Sequence, residues 1–284
     1  MTSKDRSRPR IAVHWPAASE TPMSLMRYAR AVCTELAEKA DFIKYRADEQ
    51  VYAVDLIWDP FCGWSQGPVW PYTESDAPRL ITFHGAAALS MKAAEFSGEL
   101  ETAIKKEAEI EQRLFWWLDR FAEIDGVLTP SLFAAREIEE VFGIDSKNIK
   151  VIYHGVDRGV FYASEVPRVR HGILHVSSWQ PKKNIERLLR SVINSKKLQR
   201  ETLELVVPSF PFCSETASYS WLRVHQDVAS DAYLREHYQT KKIFVFPSLH
   251  ETFGLPVLEA MACGCPVVCA RGSALAEIYS DAAL

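Results

Sequence analysis

No two glycines in this chain stand one residue apart, so it lacks the Gly-x-Gly turn that holds a dinucleotide pyrophosphate. It has no Walker A segment to cradle a nucleoside triphosphate. There is no Asp-x-Asp pair to hold a metal–diphosphate complex. His250-Glu251 is not followed by the second histidine of a zinc-protease helix. Basic residues are not in excess: the net charge is −4, which argues against bulk nucleic-acid binding. Long hydrophobic runs are missing as well. The longest uncharged apolar stretch, Ala260–Ala270, is well short of the ~20 residues of a membrane helix. The head MTSKDRSRPR lacks the apolar segment of a signal peptide and reads as a disordered tail. Of the six cysteines, Cys263 and Cys265 resemble a metal pair, but no second pair lies at suitable spacing. No metal or cofactor is therefore expected. Reduced thiols without a leader fit a cytoplasmic protein, with association at the inner membrane face left open.

What is present is ordinary globular composition, 48% hydrophobic and 25% charged over 284 residues, enough for two domains. Short apolar runs alternate with amphipathic stretches, a pattern of parallel strands covered by helices. Strands are expected at Arg10–Trp15, Phe42–Tyr45, Val54–Trp58, Arg79–Phe83, Gly126–Leu128 and Ile149–Tyr153. Helices are expected at Met23–Lys39, Glu99–Arg120 and from Thr129 or Ser131 to Val141. Pro60–Ala77 reads as an ordered loop rich in Trp, Pro and Gly. A polar stretch, Ala163–Arg170, is the linker candidate, which places the domains at 1–165 and 166–284. The alternation then restarts with strands Gly172–Val176 and Leu203–Val207 around a helix at Ile185–Ser195. Pro208–Ser220 carries no readable pattern. Helices at Ser230–Tyr238 and Ser273–Tyr279 flank the unit described next. The fold class is α/β, with two Rossmann-like doubly wound domains.

Phe244–Arg271 organises the second half. It reads as strand Ile243–Phe246, a turn, helix Leu255–Cys263 and strand Pro266–Cys269. Glu251 lies in the turn, Phe253-Gly254-Leu255 opens the helix, and Glu259 sits within it among apolar neighbours. A helix start presents unpaired N–H groups to an anion, and a glycine there allows close approach. The two glutamates fit ligand hydroxyls or, equally, a solvated loop and helix face. Lys183, after strand Gly172–Val176, can neutralise a phosphate or be a solvated lysine. His84 ends a strand where ligands bind, and also fits a structural histidine bonded to backbone. Trp58, Trp64, Trp70, Trp116 and Trp117 read as core and loop anchors, with a sugar-facing surface as the alternative.

Together these residues resemble the retaining nucleotide-sugar glycosyltransferases of family 4, which have the two-domain GT-B fold. FPSLHETFGLPVLEAMACGCPVV carries the family's Glu-x7-Glu motif as Glu251 and Glu259, with Phe-Gly-Leu-Pro between them. Gly126–Asp157 resembles the segment closing the first domain, ILHVSSWQPKKN the start of the second, and TFHG places His84 where the family has an active-site histidine. The resemblance implies metal-independent transfer of a sugar from a nucleotide-diphosphate donor to a glycan, lipid-linked or small-molecule acceptor. Glu259 would bond the ribose. Glu251 and the backbone of Phe253, Gly254 and Leu255 would hold the sugar, Lys183 would stabilise the diphosphate, and His84 would contact the sugar. Four departures are plain. Ser177-Ser178 stands where relatives carry Gly-Arg, so Ser178 occupies a diphosphate-binding place without its cation. Glu20-Thr21-Pro22-Met23 replaces a Gly-Gly loop, Pro208–Asp227 is short, and relatives continue beyond Leu284. The alternative expectation is a nucleotide-binding or partner subunit with little transferase activity.

Overall fold

The computed structural model describes residues 8–17, 23–63, 67–87, 91, 100–226 and 230–284. Trp64 and Glu20-Thr21-Pro22 lie outside them. Two compact units emerge, one from Met1–Ser90 and Glu107–Ile152, the other from Met91–Lys106 and Tyr153–Leu284.

The first unit carries strands β1 (Arg10–His14), β2 (Asp41–Tyr45), β3 (Leu56–Cys62), β4 (Arg79–Phe83), β5 (Gly126–Thr129) and β6 (Ile149–Val151). They form one parallel sheet in the order β2-β1-β3-β4-β5-β6. Helices α1 (Met23–Glu35), α2 (Leu100–Phe121, in this unit from Glu107 on) and α3 (Leu132–Phe142) connect them. Ile81, Phe83 and Val127 pack with Trp117, Phe121, Ile138 and Phe142 in one cluster, while Ala12, Tyr45 and Ile57 form another. Ser131 caps α3 by accepting from the Ala134 amide, and Gly143 ends it in the left-handed region at φ 65°.

Three expectations change here. Helix α1 ends at Glu35, short of Lys39. Strand β6 stops at Val151. The stretch from Pro60 to Cys62 is strand rather than loop. A proline in a strand suggested a break, but β3 shifts register against β4 between Asp59 and Cys62. The buried Asp59 carboxylate accepts from the amides of Phe61 and Val69, so this irregularity leaves those donors satisfied. Trp58 is buried with its indole N–H on Thr82 Oγ1, and Trp117 is fully buried, as anchors.

The second unit carries β7 (Ile173–Val176), β8 (Leu203–Val206), β9 (Leu222–His225), β10 (Ile243–Phe246) and β11 (Val267–Cys269). Its parallel sheet runs β11-β10-β7-β8-β9. The helices are α4 (Ile185–Ile193), α5 (Cys213–Thr216), α6 (Asp231–Thr240), α7 (Leu255–Ala262) and α8 (Ser273–Tyr279). Alternation along the strands divides the core. Leu174, Val206, Phe244 and Phe246 face α7 and α8 through Val257, Ala260 and Leu275. Ile173, Leu203 and Leu205 face α4 through Ile185, Leu188, Leu189 and Val192. Both faces are covered, which is why these strands read as continuous apolar runs. The unreadable stretch after Pro208 contains α5, and β9 follows it.

Among the described residues no helix is long and apolar enough to cross a membrane. Cys263 and Cys265 are free, buried thiols pushed up by burial to about 11. Both pack as small hydrophobes in the core with Leu174, Phe244 and Phe246.

Candidate functional site

In the second sheet the chain runs outward from β7 to β8 and β9, then returns to β10 on the other side of β7. The order therefore reverses between β7 and β10. A crevice opens beyond the strand ends at such a point, because the two following loops diverge. Both loops carry residues singled out from the sequence.

The loop after β7 contains Ser177, Ser178 and a short turn, Pro181–Lys183. Asn184 closes that turn at φ 57° and donates its side-chain amide to the Pro247 carbonyl after β10. The Leu249 amide donates to the Lys182 carbonyl at 2.7 Å. The Ser248 hydroxyl also reaches that carbonyl. The two loops are thus laced by backbone and short polar side chains. Their product is a direct ion pair: Lys183 Nζ lies 2.5 Å from Glu251 Oε1, with side chains 15% and 13% exposed. Lys183 also lies over the face of Phe246 at 5.5 Å.

Glu251 is fixed from its backbone. Its amide donates to Ser273 Oγ and its carbonyl accepts from the Ala274 amide, which ties the turn to α8. Gly254 caps α7 at φ 89°. A Cβ there would stand 2.6 Å from Leu275 Cδ2, so only glycine fits without displacement. The Tyr279 hydroxyl donates to the Gly254 carbonyl at 3.1 Å. Burial raises that phenol's pKa and keeps it a donor. Phe253 is buried, with its ring 5.0 Å from that of His154. Leu255 begins α7, and Pro256 follows without an N–H to satisfy. Glu259 stands one turn on, half-buried, and its Oε2 accepts from the Tyr238 hydroxyl at 3.2 Å. Burial, then the neighbouring carboxylate, hold that phenol protonated.

Beneath these loops, His175 is fully buried at the end of β7. Its Nδ1 donates to the Val245 carbonyl at 2.8 Å, and Ser177 Oγ lies 2.7 Å from Nε2. Burial pushes its pKa down to about 4, so the ring is neutral and Nε2 accepts from the Ser177 hydroxyl. Ser178 is exposed on the following turn.

His84 belongs to the first unit, just beyond β4. Its Nε2 donates to the Pro60 carbonyl at 2.8 Å, and burial lowers its pKa, so the ring is neutral. The structural bond considered from the sequence is therefore present. Lys183 and Glu251 are the two expected site residues brought into direct contact. Tyr238, Ser273, Tyr279 and His175 support the site but carry no motif. Only the hydroxyl-bearing Ser273, at the start of an expected helix, left any trace in the sequence.

Two α/β units, each built on a parallel sheet, are the elements of the GT-B fold. Sucrose-phosphate synthase from Thermosynechococcus elongatus has the same fold, with a TM-score of 0.67 at 17% identity over 94% of this chain and 82% of that one. Anabaena HepE, solved in complex with UDP and glucose, gives 0.55 at 14% identity over 95% and 83%. The profile described as Glycosyltransferase Family 4 matches residues 14–159, and that described as Glycosyl transferases group 1 matches residues 165–283. This chain belongs to glycosyltransferase family 4, within the group 1 glycosyltransferases. The Mycolicibacterium hassiacum MMP alpha-(1->4)-mannosyltransferase is 31% identical over 55% of this chain and 39% of its own length. The Escherichia coli O-antigen chain mannosyltransferase B is 32% identical over 39% of this chain and 31% of its own. The matches thus span less than half the length of each of these two relatives.

Proposed function

We propose that the protein transfers a hexose from a nucleotide-diphosphate sugar to an acceptor hydroxyl with retention of anomeric configuration. The observation that carries this reading is the Lys183–Glu251 pair at the β7/β10 switch point, beside the glycine-capped start of α7. Departure of a nucleoside diphosphate builds negative charge on its phosphate oxygens. A fixed ammonium and the open amides of a helix start stabilise that charge without reorganising. Lys183 has further N–H donors beyond the one on Glu251 and can give them to phosphate. No metal is needed in this scheme, because Lys183 supplies the countercharge.

Glu259 is assigned to the ribose hydroxyls, with Tyr238 orienting its carboxylate. Glu251 and the backbone of Phe253, Gly254 and Leu255 are assigned to the sugar. His84 is assigned a contact with the sugar near the reacting carbon, as the family resemblance implies; its one ring proton is on Pro60, so it would accept there rather than donate. The donor is a nucleotide sugar, and GDP-mannose is the first to try, because two of the relatives named above are mannosyltransferases. The acceptor is a glycan, a lipid-linked sugar or a small hydroxylated molecule. The test is multiple-turnover transfer to an acceptor panel, with the anomeric configuration of product read by proton NMR. A product of inverted configuration, or turnover unchanged from wild type in both Lys183→Ala and Glu251→Ala, contradicts the proposal.

A second reading, nucleotide binding without efficient transfer, is favoured by one observation. Ser178 is an exposed serine on the turn where the family resemblance implies a diphosphate-binding arginine. Nucleotide binding with no transfer from any donor supports it over the first.

A further inference from the structure

Away from the β7/β10 crevice, two imidazoles of the second unit converge on one carboxylate oxygen. Glu204 is the second residue of β8 and is buried. His225 ends β9, and His237 lies on α6. His237 Nε2 is 3.3 Å and His225 Nε2 3.7 Å from Glu204 Oε2. The three donor atoms all lie within 4.8 Å of one another. We propose that Glu204, His225 and His237 form a site for a divalent transition-metal ion of the zinc type.

Tyr233 prepares both imidazoles. Its carbonyl accepts from His237 Nδ1 at 2.9 Å, and its hydroxyl meets His225 Nδ1 at 2.9 Å. A carbonyl only accepts, so His237 Nδ1 carries a proton and Nε2 is the nitrogen turned to the carboxylate oxygen. A hydrogen bond from His237 Nε2 to that oxygen would satisfy His237 alone. It would leave His225 Nε2, which is buried and has no hydrogen-bond partner, facing the same oxygen beyond bonding distance. A cation at the centre satisfies all three atoms at once. Ring-nitrogen bonds to outer carbonyl and hydroxyl groups are the usual means of aiming histidines at a metal.

The dimensions agree. With bonds of ~2.1 Å, tetrahedral donors stand about 3.4 Å apart; the two spacings to Glu204 Oε2, 3.3 and 3.7 Å, are close to this, and the third lies within 4.8 Å. The other carboxylate oxygen, Oε1, is held by Lys241 Nζ at 2.6 Å, which leaves Oε2 as a single ligand. Two imidazoles and one carboxylate suit zinc better than calcium or magnesium. The His225 side chain is 29% exposed, so the cluster lies close to the surface. A bound ion would pin the end of β9 to α6, on either side of their connection. None of these residues is among those assigned above to the donor, so the inference does not rest on that assignment.

The test uses the full chain, stripped with a chelator, dialysed and titrated with CoCl2 alone, then with ZnCl2. Expected are one cobalt per chain with the strong visible bands of four-coordinate cobalt, and displacement of that cobalt by zinc. His225→Gln and His237→Gln, checked for folding by circular dichroism, should each lose the bands. Tyr233→Phe, which keeps the ring packing, should weaken binding roughly 10–100-fold. Absence of uptake overturns the proposal. So do bands that persist in both histidine variants, or that vanish in Cys263→Ser/Cys265→Ser instead.

Discussion

Lys183 and Glu251 come from different loops, 68 residues apart, yet their charged atoms stand 2.5 Å apart with both side chains largely buried. Their loops follow adjacent parallel strands at the reversal of strand order, and the lacing of residues 182 to 184 to residues 247 to 249 sets the distance. The pair thus satisfies the desolvation of both charges before any substrate arrives.

That pairing gives the first prediction. Lys183→Ala removes the cation facing the leaving diphosphate, and transfer should fall by roughly 10²–10³-fold in kcat. It also strands a partly buried carboxylate, so the variant should melt below wild type. Glu251→Ala strands the lysine in the same way. The double variant leaves no charge unpaired and should lose less stability than the two single losses added together. Denaturant titration of the four proteins measures this coupling, and simple additivity contradicts it.

Gly254→Ala tests the cap. The residue sits at φ 89° and its new methyl would press on Leu275. Strain of this kind costs about 1–3 kcal/mol, so a clear drop in the denaturation midpoint is expected. Gly143→Ala is the comparison: φ is 65° there too, but nothing crowds the position. Equal losses at the two sites would mean that the Leu275 contact contributes nothing.

The buried histidine makes stability depend on pH. His175 has a folded pKa of about 4 against an ordinary 6.5. Above pH 6.5 the ring is neutral in folded and unfolded chains alike, and its contribution is complete. As pH falls from 6.5 to about 4, the unfolded chain binds a proton that the folded one refuses, and stability drops. The full loss is on the order of 3 kcal/mol. Denaturant curves at steps across that window should show the fall, and His175→Gln should flatten it.

Tyr238→Phe separates positioning from chemistry. The hydroxyl donates to Glu259 and touches nothing assigned to the reacting sugar. Loss of a hydrogen bond to a carboxylate, ~1.5 kcal/mol or more, should raise the donor KM about tenfold and leave kcat near wild type. A matching fall in kcat would place Tyr238 in the transition state instead.

The strands and the motif residues were legible because their determinants are local. Runs such as Ile243–Phe246 are apolar on both faces, and Phe253-Gly254-Leu255 marks a helix start by composition. Ser230, capping α6 through the Tyr233 amide, was equally plain. What was missed depends on partners far along the chain. β3 continues through Pro60 because Asp59 satisfies two amides at an irregularity, which no proline rule anticipates. β9, Leu-Arg-Val-His, is too short and polar to announce itself, and becomes a strand by pairing with β8. Glu204 looks like an ordinary strand glutamate until β9 and α6 bring His225 and His237 to it. Tyr238 and Tyr279 owe their roles to hydroxyl bonds with residues 21 and 25 positions away.

The most direct test of the central claim is nucleotide binding at Glu259. The full chain is melted with UDP, GDP, ADP and their common sugar conjugates, and Glu259→Ala beside it. At one hundred times Kd a bound nucleotide should stabilise by ~2.7 kcal/mol, readily seen as a rise in melting temperature. A rise with one nucleotide and its sugar conjugate, lost in Glu259→Ala, is the predicted result. No rise with any of them, or a rise of the same size in Glu259→Ala, contradicts the assignment of this crevice as the donor site.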